Sequence, residues 1–189
     1  MDEQQSLFPE PIRYRQPRRS HQPRLQMSAA ALQEWKQRVF RFQQQVQSQP
    51  IAQGSLFSRE PNPALELNPF ELRQQNTEFW RWRVSDAGEP SLYFVIDAEV
   101  PILLYVGETG KAHQRWKGVH DCKRYLANYR ELHYQLQIPT QLQIGFWPCA
   151  PQLTRDRQQL ERQFIHTWRS PFNKENWQHW GTPFVGDKR

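Results

Sequence analysis

Six residues between positions 93 and 173 are of types that can together cleave a phosphodiester bond. They are two tyrosines, an arginine, a histidine, a glutamate and an asparagine: Tyr93, Tyr105, Arg115, His120, Glu161 and Asn173. Such cleavage requires a deprotonated water, a divalent metal and a cation that stabilises the charge on the phosphoryl group. Taken one at a time, residues of these types are more often packing or surface residues. Only their joint pattern therefore argues for chemistry.

The elements that must position these residues are predicted in the order β-β-α-β-α. The chain becomes ordered in a β-rich run at 78–84, and clear strands are predicted at 92–96, 102–106 and 141–147. Capping residues and prolines predict helices at about 112–136 and 154–168. We expect an α/β fold with a central antiparallel sheet of about three strands flanked by helices.

Two short motifs resemble the halves of the motif that names the GIY-YIG nuclease superfamily, Ser91-Leu92-Tyr93 and Tyr105-Val106-Gly107. The arginine, the metal-binding glutamate and the late asparagine of that family correspond in spacing to Arg115, Glu161 and Asn173. The resemblance covers roughly residues 91–177 and includes the order of elements. It implies a small GIY-YIG-like domain and a metal-dependent endonuclease that hydrolyses DNA in repair, recombination or restriction.

The resemblance also implies a role for each residue. Glu161 would bind the metal, Mg²⁺ or Mn²⁺, because such ions take few protein carboxylates and keep several waters. Tyr93 is the candidate general base, and its ordinary pKa of about 10 must then be lowered by nearby cations or metal. Tyr105 would orient the water or contact a phosphate oxygen. Arg115 would bind two phosphate oxygens through its planar guanidinium.

The two remaining residues are assigned supporting roles, and three positions depart from the family pattern. His120 would assist the deprotonation of Tyr93, and Asn173 would hold the tyrosines or the phosphate. However, Ser91 replaces the glycine of the first motif, Glu108 puts an acid directly after the second motif, and His120 follows Arg115 by five residues where four are usual. The departures at Glu108 and His120 favour an alternative, a catalytically inactive DNA-binding or sliding-clamp-tethered module of the same fold. RNA is a further candidate substrate, because nothing in the sequence selects deoxyribose.

The charge of the chain favours a polyanion as partner. The formal net charge is +6, and residues 111–130 contain six Lys or Arg against one acid. Basic side chains bind nucleic acid by releasing counterions from phosphates. We therefore expect one cationic helix face, with DNA contacts from Lys111, Arg115, Lys117, Lys123 and Arg124.

The 189 residues are enough for one domain with an extension. We predict a basic, Pro/Gln-rich extension at 1–75, the GIY-YIG-like nuclease domain at 76–180 and a tail at 181–189. Within the extension, a helix near 28–49 has an apolar seam of Leu32, Trp35, Val39, Phe42 and Val46. We expect this seam to pack on its own domain, with pairing of two chains as the alternative. The oligomeric state is left open.

A five-residue pattern, Gln-x-Ser-Leu-Phe, occurs at Gln4–Phe8 and again at Gln53–Phe57. It is similar to the peptide by which bacterial replication and repair proteins bind the DNA sliding clamp. The clamp is therefore a candidate partner, and two copies would add avidity. Chance occurrence in a Gln-rich chain is the alternative.

Membrane and disulfide classes are not favoured by the sequence. No apolar stretch approaches the roughly 18 residues that a membrane span needs, so we expect a cytoplasmic, nucleoid-associated protein without a membrane partner. Cys122 and Cys149 form no CxxC pair, so neither structural zinc nor a disulfide framework is expected.

Overall fold

The computed structural model describes residues 27–48, 67–78, 88–111, 116, 118 and 120–183. Several predictions of the sequence analysis lie outside these residues. They are the basic arm, most of the linker and of strand 78–84, both Gln-x-Ser-Leu-Phe peptides, the end of the tail, and Arg115 and Lys117.

The described residues form four strands, four α-helices and one 3-10 turn. In chain order these are α1 (Ala29–Ser48), β1 (Gln74–Asn76), β2 (Ser91–Asp97), β3 (Ile102–Thr109), α2 (Asp121–Leu136), β4 (Leu142–Trp147), α3 (Thr154–Trp168), the 3-10 turn (Lys174–Asn176) and α4 (Trp177–Trp180). No helix among them is long and apolar enough to cross a membrane.

The strands form one sheet in the order β1-β4-β2-β3, and every neighbouring pair is antiparallel. The α/β class is therefore confirmed, but the sheet has four strands rather than about three. The additional strand is β1, which pairs with β4 through three polar residues, Gln74 to Asn76. A three-residue polar segment has no alternating apolar pattern, so its strand conformation depends on β4.

The helix predicted over about 112–136 is interrupted among the described residues, because Trp116 is helical but α2 begins only at Asp121. His120, the residue before α2, has an extended backbone, with φ −148° and ψ 161°. An acid in the first turn is favourable next to the positive end of the helix dipole. Of the residues predicted to form the cationic face, Lys123 and Arg124 lie on α2, whereas Lys111 follows β3.

The two faces of the sheet bury separate apolar clusters. Trp35 of α1 and Tyr129 of α2 pack with Phe172 on one face, whereas Phe164 of α3 packs on Phe94 of β2 on the other. The α1 seam thus packs on its own chain: Leu32, Trp35 and Val39 are buried. Although α1 and β1 belong to the predicted extension, both are integral to the folded unit.

Strand β3 lies at one end of the sheet, and side chains seal its outer edge. The amide of Gln43 in α1 donates to the Leu103 carbonyl (2.9 Å) and accepts from the Leu103 N–H (2.7 Å). Farther along, the Phe172 N–H donates to the Leu104 carbonyl. These bonds satisfy edge groups that would otherwise be open to pairing with another strand.

A buried ion pair holds α1 to the end of β2. Lys36 Nζ lies 2.8 Å from Asp97 Oδ2, and both side chains are almost fully buried. Asp97 also accepts hydrogen bonds from the hydroxyls of Tyr129 and Thr140. Burial raises the pKa of Asp97, but the hydrogen bond from Lys36 and the other donors outweigh it, so the pKa is lowered overall.

Candidate functional site

A polar cleft of about 440 Å³ opens beside β3. Three of the six residues named above line it, namely Tyr105, Glu161 and Asn173. The other lining residues come from α2, from α3 and from the segment 172–175, which leads into the 3-10 turn. They are Asp121, Tyr125, Gln158, Arg162, Ile165, Phe172, Lys174 and Glu175. The cleft is therefore assembled from elements that lie far apart in the chain.

Tyr93 lies next to this cleft and packs against its wall. A β-bulge in the β2–β3 pairing shifts the register at Val95/Ile96. The rings of Tyr93 and Tyr105 are stacked, with centroids 6.0 Å apart and planes 21° from parallel. Tyr105 is partly exposed, whereas Tyr93 is 1 % exposed. Tyr105 is thus the tyrosine with the larger surface in the cleft.

The hydroxyl end of Tyr93 lies directly over Gly107, its partner in the β2–β3 pairing. A Cβ atom at position 107 would overlap Cζ and Oη of the tyrosine ring and lie 2.8 Å from Cε1. Only glycine leaves room for the ring here. The glycine of the Tyr-Val-Gly motif therefore determines where the Tyr93 hydroxyl can lie.

Asn173 holds the backbone of the residue after Tyr105. Its Oδ1 accepts from the Val106 N–H (3.0 Å), and its Nδ2 donates to the Val106 carbonyl (2.9 Å). Ser170 Oγ donates to the same Oδ1 at 2.6 Å. Of the two roles predicted for Asn173, this geometry corresponds to holding the tyrosine network, because the amide fixes the strand that carries Tyr105.

Glu161 is anchored to the same strand one residue beyond Gly107. Its Oε1 accepts a hydrogen bond from the Glu108 N–H at 3.2 Å. The carboxylate of Glu108 is directed to Arg157 Nε, at 3.1 Å, where 19 % of the Glu108 side chain is exposed. The acid that departs from the family pattern is thus paired with a buried guanidinium of α3.

His120 is connected to the tyrosines through Trp116. The Trp116 ring packs edge-on against Tyr93, with centroids 5.5 Å apart, and against His120, with centroids 4.8 Å apart. Because His120 precedes α2 and has an extended backbone, helical spacing does not determine its position. The five-residue spacing between Arg115 and His120 is therefore no measure of how this histidine is oriented.

Cations surround the cleft, but several already have partners. Asp121 lies 2.9 Å from Lys174 and 3.0 Å from Arg124. The hydrogen bond from Lys174 and the nearby charges lower the pKa of Asp121. Arg124 also lies over the Tyr125 ring. Of the residues predicted to contact nucleic acid, Arg124 is thus already paired with Asp121, and the side chain of Lys123 is half-buried.

Lys111 lies just after β3, and its side chain is exposed. Its backbone N–H donates to the hydroxyl of Thr109 at 3.1 Å. This bond fixes the turn that leaves β3. Because its side chain is exposed, Lys111 is accessible for a phosphate contact.

The cleft offers three carboxylates that could bind a divalent metal, those of Asp121, Glu161 and Glu175. No group of three or more His, Cys, Asp or Glu side chains in the described part of the chain is arranged to hold a metal ion. Mg²⁺ does not need such a group, because it is commonly held by one or two carboxylates while water and phosphate oxygens complete its shell. Glu161, a hard oxygen donor in an open polar cleft, fits this mode of binding.

Sequence reasoning missed several residues of the site. Trp116, Arg157, Arg162 and Lys174 are not among the predicted site residues. Of these, Arg157 is the one that the sequence could have indicated, because it stands on the apolar face of α3, three residues before Leu160 and seven before Phe164, and it is buried there beside Glu108. No protein-family model, curated protein or solved structure significantly matches the chain.

Proposed function

We propose that the protein is an endonuclease that uses a divalent metal, Mg²⁺ or Mn²⁺, to hydrolyse DNA phosphodiester bonds. One observation carries the proposal: four consecutive residues of β3, 105 to 108, gather the predicted groups. Tyr105 belongs to the run, Val106 binds Asn173, Gly107 receives the Tyr93 hydroxyl end, and the Glu108 N–H binds Glu161. Tyr105, Glu161 and Asn173 thus meet at one cleft, and Tyr93 packs behind its wall.

The chemistry of these groups suits hydrolysis of a phosphodiester. Glu161 would hold the metal, which supplies positive charge for the phosphate oxygens and activates water. Tyr93, once its hydroxyl is deprotonated with the help of His120, would take the proton of the attacking water through its phenolate oxygen, while Tyr105 on the cleft wall orients that water or contacts a phosphate oxygen. Arg162 adds positive charge to the cleft, Lys174 is paired there with Asp121, and Arg115 is proposed to act with Arg162 on the transition state.

The departures at Glu108 and His120 are compatible with an active enzyme. The Glu108 carboxylate points to Arg157, so it need not repel the substrate phosphate. His120 precedes α2, so its helical spacing from Arg115 is no argument against a role in the site. These two observations weaken the case for an inactive DNA-binding module of the same fold.

The decisive experiment is cleavage of supercoiled plasmid and of labelled linear and branched DNA with Mg²⁺ or Mn²⁺, beside EDTA controls. The key variant is Glu161→Gln, which keeps an oxygen for the Glu108 N–H but loses the charge that holds the metal. The matched control is Asp156→Asn, an exposed carboxylate on the same helix.

We expect EDTA to abolish cutting and Glu161→Gln to lower its rate at least about 100-fold, since metal stabilisation of several kcal/mol corresponds to that factor. Asp156→Asn should cut like the wild type. DNA that is bound and left intact by the wild type with either metal would refute the nuclease and favour the binding module. A parallel set of RNA substrates tests the choice of DNA, and preferential cutting of RNA would overturn it.

The sliding clamp stays a proposed second partner, together with a location at the nucleoid. Two copies of Gln-x-Ser-Leu-Phe support this proposal, at Gln4–Phe8 and Gln53–Phe57. A pull-down with purified bacterial clamp should retain the full chain, and the double substitution of Phe8 and Phe57 by Ala should release it. Retention that is unchanged in the double variant would exclude these peptides as clamp ligands.

A further inference from the structure

A second groove lies beside the cleft, between α3 and the segment formed by the 3-10 turn and α4. It has a volume of about 580 Å³ and is lined by Arg162, Ile165, His166, Arg169, Glu175, Asn176, Gln178 and His179. We call it the arginine groove. Arg162, Ile165 and Glu175 line both the groove and the cleft. The two cavities therefore adjoin along α3 and share one wall.

The arginine groove carries more positive than negative charge. It contains two arginines, and its single carboxylate belongs to Glu175. Within the described residues, neither Arg162 nor Arg169 forms an ion pair with a carboxylate.

The charge of Arg169 is held in place without being cancelled. Its guanidinium lies over the Phe42 ring and 3.1 Å from the ring nitrogens of His179. Partial burial, Arg169 and Arg38 lower the pKa of His179, so this ring is neutral at pH 7 and can accept the bond from Arg169. A bond to a neutral ring leaves the full positive charge of the arginine available to an anion.

The two arginines are separated by a length that a few nucleotides can span. Arg162 lies on α3, and Arg169 is the residue directly after the helix, with a left-handed backbone (φ 46°). From position 162 to the last helical residue, Trp168, the backbone advances about 9 Å at 1.5 Å per residue. Along the axis of a duplex, where one strand advances about 3.4 Å per phosphate, this length corresponds to about three nucleotides.

We infer that the arginine groove binds the phosphate backbone of the DNA strand that flanks the cleaved bond, so that the strand leaves the cleft along α3. The inference rests on the proposed function, because that function supplies the substrate. It predicts that Arg162 and Arg169 contribute to DNA affinity separately from the metal.

The test measures binding of a fluorescent DNA duplex by anisotropy in EDTA, over a series of KCl concentrations. The variants are Arg162→Gln and Arg169→Gln, with Arg155→Gln, exposed on the same helix and outside both cavities, as control. Each lost phosphate contact should reduce the slope of log K against log salt by about 0.9 and weaken binding about eightfold at 0.1 M salt.

Two further variants guard against local unfolding, because Arg169 also contacts His179. Gln178→Glu adds a negative charge to the groove without removing a contact, and it should weaken binding. Glu175→Gln removes the acid and should strengthen binding. Arg155→Gln should bind like the wild type.

The failures of the two proposals are distinguishable. If both arginine variants bind DNA as tightly as Arg155→Gln does, with the same salt slope, the arginine groove is refuted even where the wild type cuts DNA. If Arg162 and Arg169 are needed for binding but no metal supports cutting, the groove stands and the nuclease falls. A wild type that binds no DNA overturns both.

Discussion

Replacing Gly107 by alanine tests how the glycine of the Tyr-Val-Gly motif positions Tyr93, whose ring packs on it. The added Cβ would overlap the hydroxyl end of the Tyr93 ring. The ring has little room to swing away, because it is 1 % exposed and its centroid lies 5.5 Å from that of Trp116 and 6.0 Å from that of Phe146. Overpacking of this kind costs about 1–3 kcal/mol. We therefore expect Gly107→Ala to lower the free energy of unfolding by that amount.

Gly110→Ala is the matched control. A Cβ at position 110 meets only Arg157 Nη2, at 3.5 Å, which is an ordinary van der Waals contact. Urea unfolding followed by tryptophan fluorescence should find this variant within about 0.5 kcal/mol of the wild type. The double variant Gly107→Ala/Tyr93→Ala should be more stable than the sum of the single variants predicts, because removing the ring removes the overlap. If Gly107→Ala is as stable as Gly110→Ala, the close packing of Tyr93 on Gly107 is refuted.

The cleavage rates of Gly107→Ala and Tyr93→Phe separate the positioning of Tyr93 from its chemical role. Under the proposed function, Gly107→Ala displaces the Tyr93 hydroxyl and should lower the cleavage rate at temperatures where the variant is fully folded. Tyr93→Phe keeps the ring but removes the hydroxyl, and should lose about 100-fold or more of the rate, as expected for a general base. Full activity of Tyr93→Phe would exclude Tyr93 as the base and leave Tyr105 as the candidate.

Three further outcomes follow from the buried polar groups. Lys36→Met leaves the Asp97 carboxylate buried without its counter-ion, and Asp97→Asn does the same to Lys36, so each should lower the free energy of unfolding by about 3–5 kcal/mol. In urea unfolding the double variant should lose less than the sum of the two single variants, and additive losses would contradict the pairing. Burial is the main factor that lowers the pKa of His133, so as the pH falls below about 6.5 the unfolded chain takes up a proton before the folded one does. The free energy of unfolding should therefore decrease as the pH drops from 7 towards the folded pKa. If its dependence on pH is unchanged in His133→Gln, this prediction is contradicted. Gln43→Leu leaves the Leu103 N–H and C=O without their amide partner and should lower the free energy of unfolding by about 1–3 kcal/mol per group. Gln44→Leu, on the exposed side of α1, is the control and should leave stability unchanged. Equal melting temperatures for the two variants would refute the role of Gln43 at the sheet edge.

The elements that bury a regular apolar pattern could be predicted from the sequence. Strands β2, β3 and β4, helix α3 and the seam of α1 lie at or close to the predicted positions. In each of them the side chains repeat with the period of the element, and that repeat is a local property of the chain. The break before Asp121 was not predicted, because Gly118 is the strongest helix-stopping signal in the residues before it.

The candidate site was predicted as a set of residue types, without the contacts that join them. The sequence indicated Tyr93, Tyr105, Glu161 and Asn173, but it did not show that all four meet at residues 105–108 of β3. That meeting depends on hydrogen bonds between residues more than fifty positions apart. Such bonds follow from strand pairing and helix packing, and no local spacing encodes them.

The sequence by itself determined which segments become strands and helices and which residue types are available for chemistry, because propensity and periodicity act over a few neighbouring residues. Tertiary structure alone decided the pairing of β1, the sealing of the β3 edge by Gln43 and Asn173, and the partners of Glu108 and Lys36. Each of these serves a backbone group or charge that the fold buries. The need for a partner arises only when the elements have packed, and the nearest group able to meet it comes from a distant part of the chain.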